Sequence, residues 1–357
     1  MNSPSGRITI ISCVSGATAR NAFPAPLRLS KNMYWSCSAS VSRVGPNMRF
    51  WIVAIIIVLV CIGSAYAILK LNPHRIINDE QRLMVSATFY PLAEFTRRVG
   101  GDHVRVSTIV PAGVEPHDFE PTAQDIAGIY DADLFVFNGG GIDAWAGRII
   151  SSVDDDVKVI QMSMNITDVL PPPTVNTDAA GVIFDEHFWL DPIIAAREVV
   201  VIRDALIEID PVHETDYRNN ADAYIMMLSQ LNDAYRNGLS DCAIRTAFTS
   251  HNAFAYMARE YDFTQVSITG LSPDEEPSAG DLAQIADTAR SMGITFIFFE
   301  ELTSPELSEA LASEVGAQTL VFNPLEGLTD EQVADGKDYL TIMYENLSNL
   351  ERAMACK

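Results

Sequence analysis

The stretch from Pro192 to Leu239 constrains this chain most. It shows no strand pattern, only helix formers with apolar positions at three- and four-residue spacing. Asp210-Pro211 divides it into two helices, with Pro211 suited to a first-turn position. The second, about Pro211–Leu239, would run roughly 40 Å at 1.5 Å per residue. A helix of that length spans a small domain, so the segments on either side are held apart by a strut.

On both sides of the strut the pattern alternates. Apolar, β-branched or aromatic runs at Leu83–Thr88, Val104–Ile109, Leu134–Phe137 and Val157–Ile160 read as buried strands, as do Ala247–Ser250, Gln265–Ile268, Phe296–Phe299 and Thr319–Phe322. Helical patterns such as Pro91–Val99, Thr122–Tyr130, Ala279–Met292 and Pro305–Val315 separate them. Strand–helix alternation predicts parallel sheets with right-handed crossovers. The expected fold is α/β: two lobes, each a mostly parallel β-sheet flanked by helices, joined by a long rigid linking helix. The N-terminal lobe covers 82–190, the helical linker 192–240 and the C-terminal lobe 241–357. Pro171-Pro172-Pro173 and the polar stretch to Ala180 read as a surface loop.

Charge separates this body from what precedes it. Residues 1–70 carry seven basic residues and no acid, leaving 17 basic and 47 acidic residues on 71–357, a net charge of −30. That balance argues against nucleic-acid binding. Phe50–Leu69 is nearly all apolar and long enough to cross a bilayer as a helix. Arg49 precedes it, which places the acidic body outside the cytoplasm. Ala65-Tyr66-Ala67 also satisfies an A-x-A cleavage rule, so 48–70 reads as a signal peptide or as a membrane anchor. Val60 before Cys61 does not suit a lipoprotein signal. Residues 1–47 lack apolar periodicity and read as a leader upstream of the true start at Met48. Of five cysteines only Cys242 and Cys356 lie in the body, and two cysteines in an exported domain read as one disulfide.

The six histidines are His74, His103, His117, His187, His213 and His251. His117 lies in a loop directly after the strand Val104–Ile109, and His251 directly after Ala247–Ser250, one in each lobe. Open α/β sheets bind ligands outside the carboxyl ends of their strands, so these two border the expected crevice. His187, in Asp185-Glu-His-Phe-Trp-Leu-Asp-Pro192, precedes the helical linker. His74, His103 and His213 read as ordinary linker, loop and helix-start residues.

Longer stretches carry a resemblance. Ala87-Thr-Phe-Tyr-Pro-Leu-Ala-Glu-Phe95, Val99-Gly-Gly-Asp-His103 and Val114-Glu-Pro-His-Asp-Phe-Glu-Pro121 open it. Asp131-Ala-Asp-Leu-Phe-Val-Phe-Asn138, His187-Phe-Trp-Leu-Asp-Pro192, Gly270-Leu-Ser-Pro-Asp-Glu-Glu-Pro277 and Asn323-Pro-Leu-Glu-Gly-Leu328 continue it in order over 83–357. In these motifs the chain resembles the metal-binding ABC-transporter substrate-binding proteins of the cluster A-I type, the zinc and manganese receptors. The resemblance implies a metal site in the cleft between the lobes, with two ligands from each. By motif position these are His117 and His187 from the N-terminal lobe, and His251 and a carboxylate from the C-terminal lobe. Manganese-type relatives place an Asp where this chain has Asn323, and the resemblance points instead to Glu326, with Glu301 as the alternative. Glu115, Asp118, Asp185, Glu186 and Glu300 are expected around the ligands rather than among them.

Three imidazoles and one carboxylate suit Zn²⁺, whereas Mn²⁺ favours more oxygen ligands. The expectation is therefore an extracytoplasmic receptor that captures Zn²⁺ as cargo for an ABC permease, acting as a monomer, with a manganese or iron receptor as the alternative. It would touch the membrane through its N-terminal segment if that is uncleaved, and would bind no nucleic acid. A zinc hydrolase is the reading from another class. Catalytic zinc keeps an open position beside a general base, which a four-ligand site does not leave. The chain also lacks H-E-x-x-H and G-x-S-x-G motifs.

Overall fold

The computed structural model describes residues 57–59, 82–168, 177–178, 181–182 and 185–357. Contacts divide the chain into two units, Met1–Ile76 and Ile77–Lys357. Of the first, only a helical turn at 57–59 is described. The apolar run Phe50–Leu69, its cleavage motif and His74 otherwise lie outside the described residues. Among those that are described, no helix is long and apolar enough to cross a membrane.

The second unit begins with a four-stranded parallel sheet. Its strands β1 (Leu83–Ala87), β2 (Val104–Thr108), β3 (Leu134–Phe137) and β4 (Lys158–Gln161) lie in the order β2-β1-β3-β4. Helices α1 (Tyr90–Gly100), α2 (Ala123–Tyr130), α3 (Ala144–Ile149) and the single turn α4 (Met162–Asn165) connect or follow them. Local chemistry sets the helix starts. Thr122 and Asp125 form a capping box at α2, and Pro91 takes a first-turn position in α1. β3 is buried along its whole length, as a central parallel strand should be. At the end of the stretch read as a loop, β5 (Thr177–Asp178) pairs antiparallel with β6 (Gly181–Val182) just beyond it.

The linker comprises α5 (Pro192–Ile209) and α6 (Glu214–Gly238). Asp191 caps α5 by accepting from the Ile193 amide at 2.8 Å, with Pro192 opening the helix. The long helix starts three residues later than its sequence suggests. Pro211–His213 winds as a separate 3₁₀ turn, where Asp210 accepts from His213 Nδ1 at 2.5 Å and from the Tyr217 hydroxyl at 2.6 Å. At 25 residues α6 is still about 37 Å long.

The C-terminal lobe has two parallel pairs, β7 (Thr246–Thr249) with β8 (Thr264–Ser267) and β9 (Phe296–Phe299) with β10 (Gln318–Val321), and β7 lies beside β9. Its helices are α7 (Ala255–Glu260), α8 (Ala279–Met292), α9 (Glu306–Val315), α10 (Asp330–Ala334) and α11 (Tyr339–Ala353). Gly293 ends α8 in the left-handed conformation that glycine adopts most readily.

The last helix ties the lobes to the strut. One apolar core runs from β1 and β3 through α1, α5 and α6 to α11 and the loops holding Phe254 and Phe322. Tyr339 at the start of α11 packs edge-on against Phe95 of α1, with ring centroids 5.0 Å apart, and donates to the Trp189 carbonyl at 2.6 Å. The Tyr235 hydroxyl of α6 donates to the Met343 carbonyl at 2.6 Å. Cys242 and Cys356 are joined by a disulfide that pins the C-terminal end beside the start of this lobe. Separating the lobes would expose part of one continuous core.

Candidate metal centre

Four side chains converge from four places in the chain. His117 comes from the loop after β2, and His187 from the residue before the 3₁₀ turn Phe188–Leu190 that leads into α5. His251 follows β7 by two residues, and Glu326 follows β10 in the turn 322–328. One potential ligand atom from each lies within 4.8 Å of all the others. His187 Nε2 is 3.4 Å from His117 Nε2 and 3.3 Å from His251 Nε2. Glu326 Oε1 lies 3.6, 3.3 and 3.2 Å from the Nε2 atoms of His117, His187 and His251. A tetrahedron of ligands 2.0–2.1 Å from a central ion has edges of about 3.3–3.4 Å, so these spacings match a zinc-sized cage.

The cluster is dry. His187 and His251 are fully buried, and Glu326 is 1% exposed. Neither Glu326 oxygen has a conventional hydrogen-bond partner, although a buried carboxylate oxygen ordinarily has one. Only the three imidazole nitrogens face Oε1.

Behind the imidazoles stand further acids. His187 Nδ1 meets Asp185 Oδ1 at 3.0 Å, and His251 Nδ1 meets Glu300 Oε1 at 2.6 Å. A carboxylate only accepts, so Nδ1 donates to it and Nε2 is the nitrogen turned inward, where it can ligate an ion once it gives up any proton of its own. His117 Nδ1 has a longer-range partner, Glu186 Oε1 at 3.9 Å. Glu186 fits because the Gly139-Gly140-Gly141 turn passes close to it: a Cβ on Gly140, whose φ is +108°, would lie 2.9 Å from Glu186 Cβ.

These contacts shift the acid–base balance. Burial pulls the His187 imidazole down, but the Asp185 carboxylate bonded to Nδ1 and the Glu326 carboxylate facing Nε2 outweigh this and hold it up at about 9. Burial likewise opposes the His251 charge, and the Glu300 and Glu326 carboxylates overcome it and raise the ring well above its ordinary value. For Glu326 burial pushes upward, yet the His251 charge and the other imidazole nitrogens facing Oε1 hold it well below the usual carboxylate range. Glu115, whose Oε1 accepts from the His117 amide at 3.2 Å, is pushed up to about 9 by burial and by the Glu326 charge.

Other residues singled out in the sequence fall elsewhere. Glu301 is outside the four-atom group: its Oε2 accepts from Asn323 Nδ2 at 2.9 Å and from Gln332 Nε2 at 2.6 Å. His103 and His213 stack on each other away from the cluster, with centroids 3.9 Å apart. Sequence reasoning missed the glycine turn at 139–141, the Ser250 hydroxyl on Glu300 and the Trp189 indole, which donates to the Pro324 carbonyl at 2.8 Å. The Gly-Gly-Gly run was visible; the other two depend on tertiary neighbours.

Two α/β lobes meeting on a buried cage of three imidazoles and one carboxylate define the class of bilobed metal-binding receptors. Comparison with known proteins gives the family. Residues 85–353 match the family model of the zinc-uptake complex component A, periplasmic (ZnuA). The high-affinity zinc uptake system protein ZnuA of Bacillus subtilis is 37% identical over 283 residues, covering 77% of this chain and 89% of that protein. The zinc-binding lipoprotein AdcA of Streptococcus pneumoniae is 38% identical over 279 residues, covering 76% of this chain and 56%, little more than half, of that protein. The crystal structure of the Zn(II)-bound ZnuA-like domain of that AdcA superposes with a TM-score of 0.67 at 39% identity, over 76% of this chain and 99% of that domain. The chain belongs to the ZnuA family of zinc-uptake components.

Proposed function

We propose that the body of this protein captures Zn²⁺ outside the cytoplasm and delivers it to an ABC permease, with His117, His187, His251 and Glu326 as the four ligands. The observation that carries this reading is the cage itself: four donor atoms from both lobes, five of their six separations at 3.2–3.6 Å, close to the edge of a zinc tetrahedron, with the Glu326 carboxylate facing only imidazoles. Zinc is cargo here, so a closed four-ligand site suits capture, whereas a hydrolase would keep a position for water. Membership in the zinc-uptake family and the zinc named in its relatives' descriptions support the choice of metal and the permease partner.

The domain plan follows from the same reading: lobes at 82–190 and 241–357, joined by the helical linker 192–240. The continuous core through α1, α6 and α11 supports release by small lobe shifts or local loop rearrangement rather than wide lobe opening. We further propose that the chain acts as a monomer and that 48–70 exports it or anchors it. The test is metal content by mass spectrometry after purification without chelator, alongside Glu326→Ala. About one zinc per chain, weakened or lost in the variant, is the expected result. Manganese or iron in place of zinc would overturn the choice of metal, and an unchanged variant would overturn the fourth ligand.

A further inference from the structure

The turn that carries Glu326 is organised by a single carboxamide. Asn323 is 3% exposed and uses both ends of its side chain. Oδ1 accepts from the Leu325 amide at 2.7 Å, closing an Asx-type turn, while Nδ2 donates to Glu301 Oε2 at 2.9 Å. Its backbone is held as well: the Asn323 amide donates to Asn346 Oδ1 at 2.9 Å, and Asn346 Nδ2 donates to the Asn323 carbonyl at 2.7 Å. The turn needs this support, because Leu325 sits at φ +57°, a left-handed conformation that a leucine rarely adopts. Glu326 is the next residue.

We infer that Asn323 is the positioning residue of the metal site: it stabilises the left-handed Leu325 and so aims the Glu326 carboxylate at the three imidazoles. It touches no ligand atom and acts through the backbone. An amide is required because the two ends face opposite demands. The Leu325 N–H needs an acceptor, and the Glu301 carboxylate needs a donor. Aspartate would satisfy the first and set a charge against Glu301, whose Oε2 then keeps only Gln332. The same pairing keeps Glu301 turned away from the cluster, so the carboxamide also decides which acid reaches the metal.

This inference rests on Glu326 being a ligand, and the experiment separates the two claims. Zinc affinity is measured by competition with a chromophoric chelator for the wild type, Asn323→Asp, Glu301→Gln, the double variant Asn323→Asp/Glu301→Gln, and Glu326→Gln. Partners that orient metal ligands contribute about 10–100-fold to affinity, and a loss in that range is expected for Asn323→Asp. Glu301→Gln leaves a carbonyl oxygen for Asn323 and should stay within about threefold of wild type, the scatter usual for single contacts. The double variant restores one charge and one amide to the pair in reversed order and should recover part of the loss, the remainder reflecting Gln332 Nε2, which then faces a donor at 301. A generally loosened fold would not recover in this way. Bound Co²⁺ gives a second readout: Asn323→Asp should weaken the visible bands of four-coordinate cobalt, and the double variant should restore them in part. Unchanged affinity in Asn323→Asp with a weakened Glu326→Gln would overturn this inference alone. Failure of the double variant to recover would also overturn it. Unchanged affinity in Glu326→Gln would overturn the ligand reading and this inference together.

Discussion

Two histidine clusters in one molecule use the same residue types for different ends. In the inner one, three imidazoles turn Nε2 toward Glu326 Oε1 at 3.2–3.6 Å, with carboxylates behind the Nδ1 atoms of His187 and His251. In the outer one, His103 Nε2 pairs with Asp216 at 2.9 Å and His213 Nδ1 with Asp210 at 2.5 Å, while the two rings stack nearly parallel at 20°. Lone pairs lie in the plane of an imidazole, so stacked rings cannot direct them at one ion. Histidines beside acids are therefore not sufficient for a metal site. Convergent Nε2 atoms in a buried cage around one carboxylate are what separate the two.

The largest test of that contrast removes one histidine from each cluster. A four-ligand zinc site is worth about 10–16 kcal/mol, so losing one ligand costs on the order of 3 kcal/mol, about a hundredfold in affinity. His251→Ala should lose at least that much, while His103→Ala should bind zinc as the wild type does. Equal losses measured by isothermal titration would erase the distinction between the clusters.

A finer test keeps every ligand and removes an acid behind one. Glu300→Gln leaves His251 in place but replaces the charged acceptor of its Nδ1 proton. Zinc affinity should fall about 10–100-fold, with the melting temperature of the metal-free protein little changed. Wild-type affinity in this variant would reduce Glu300 to a packing role.

An effect on stability rather than on affinity comes from a buried acid that has no histidine at all. Glu198 of α5 is fully buried and both its oxygens lack partners, so burial pushes its pKa well above the usual value, opposite in direction to Glu326. A carboxyl raised on folding holds its proton in the folded state more tightly than in the unfolded chain. The folded state therefore loses stability relative to the unfolded one as pH rises above about 4.3, the ordinary glutamate value. Glu198→Met removes that penalty, so thermal melting should show it stabilised by about 1–3 kcal/mol, more at pH 8 than at pH 5. A gain that does not depend on pH would mean that Glu198 finds a partner for its charge.

Much of this arrangement was legible in the sequence because it is written locally. Phe296–Phe299 and Leu134–Phe137 are apolar runs bounded by polar residues, and the structure forms strands over those same residues. Ala279–Met292 reads as a helix, and α8 spans those same residues. His117 and His251 follow strands in sequence, which is why they border the crevice in space. The rest depends on neighbours far apart in the chain. Nothing near Tyr339 announces that it will pack against Phe95, so the single core joining lobes and strut could not be read from either segment. Asn323 read as a departure from an aspartate ligand, while its two roles are set by Leu325 on one side and Glu301 on the other. Asp210, which takes the His213 ring and the Tyr217 hydroxyl, delayed the start of the strut by one turn.

The central claim is that one metal ion sits among three imidazoles and one carboxylate contributed by both lobes. X-ray absorption at the zinc edge of the purified one-zinc complex tests it most directly. The expected result is a four-coordinate first shell of nitrogen and oxygen at about 2.0–2.1 Å, with outer-shell scattering from three imidazole rings. A shell of five or six oxygens, or scattering from fewer than three imidazoles, would contradict it.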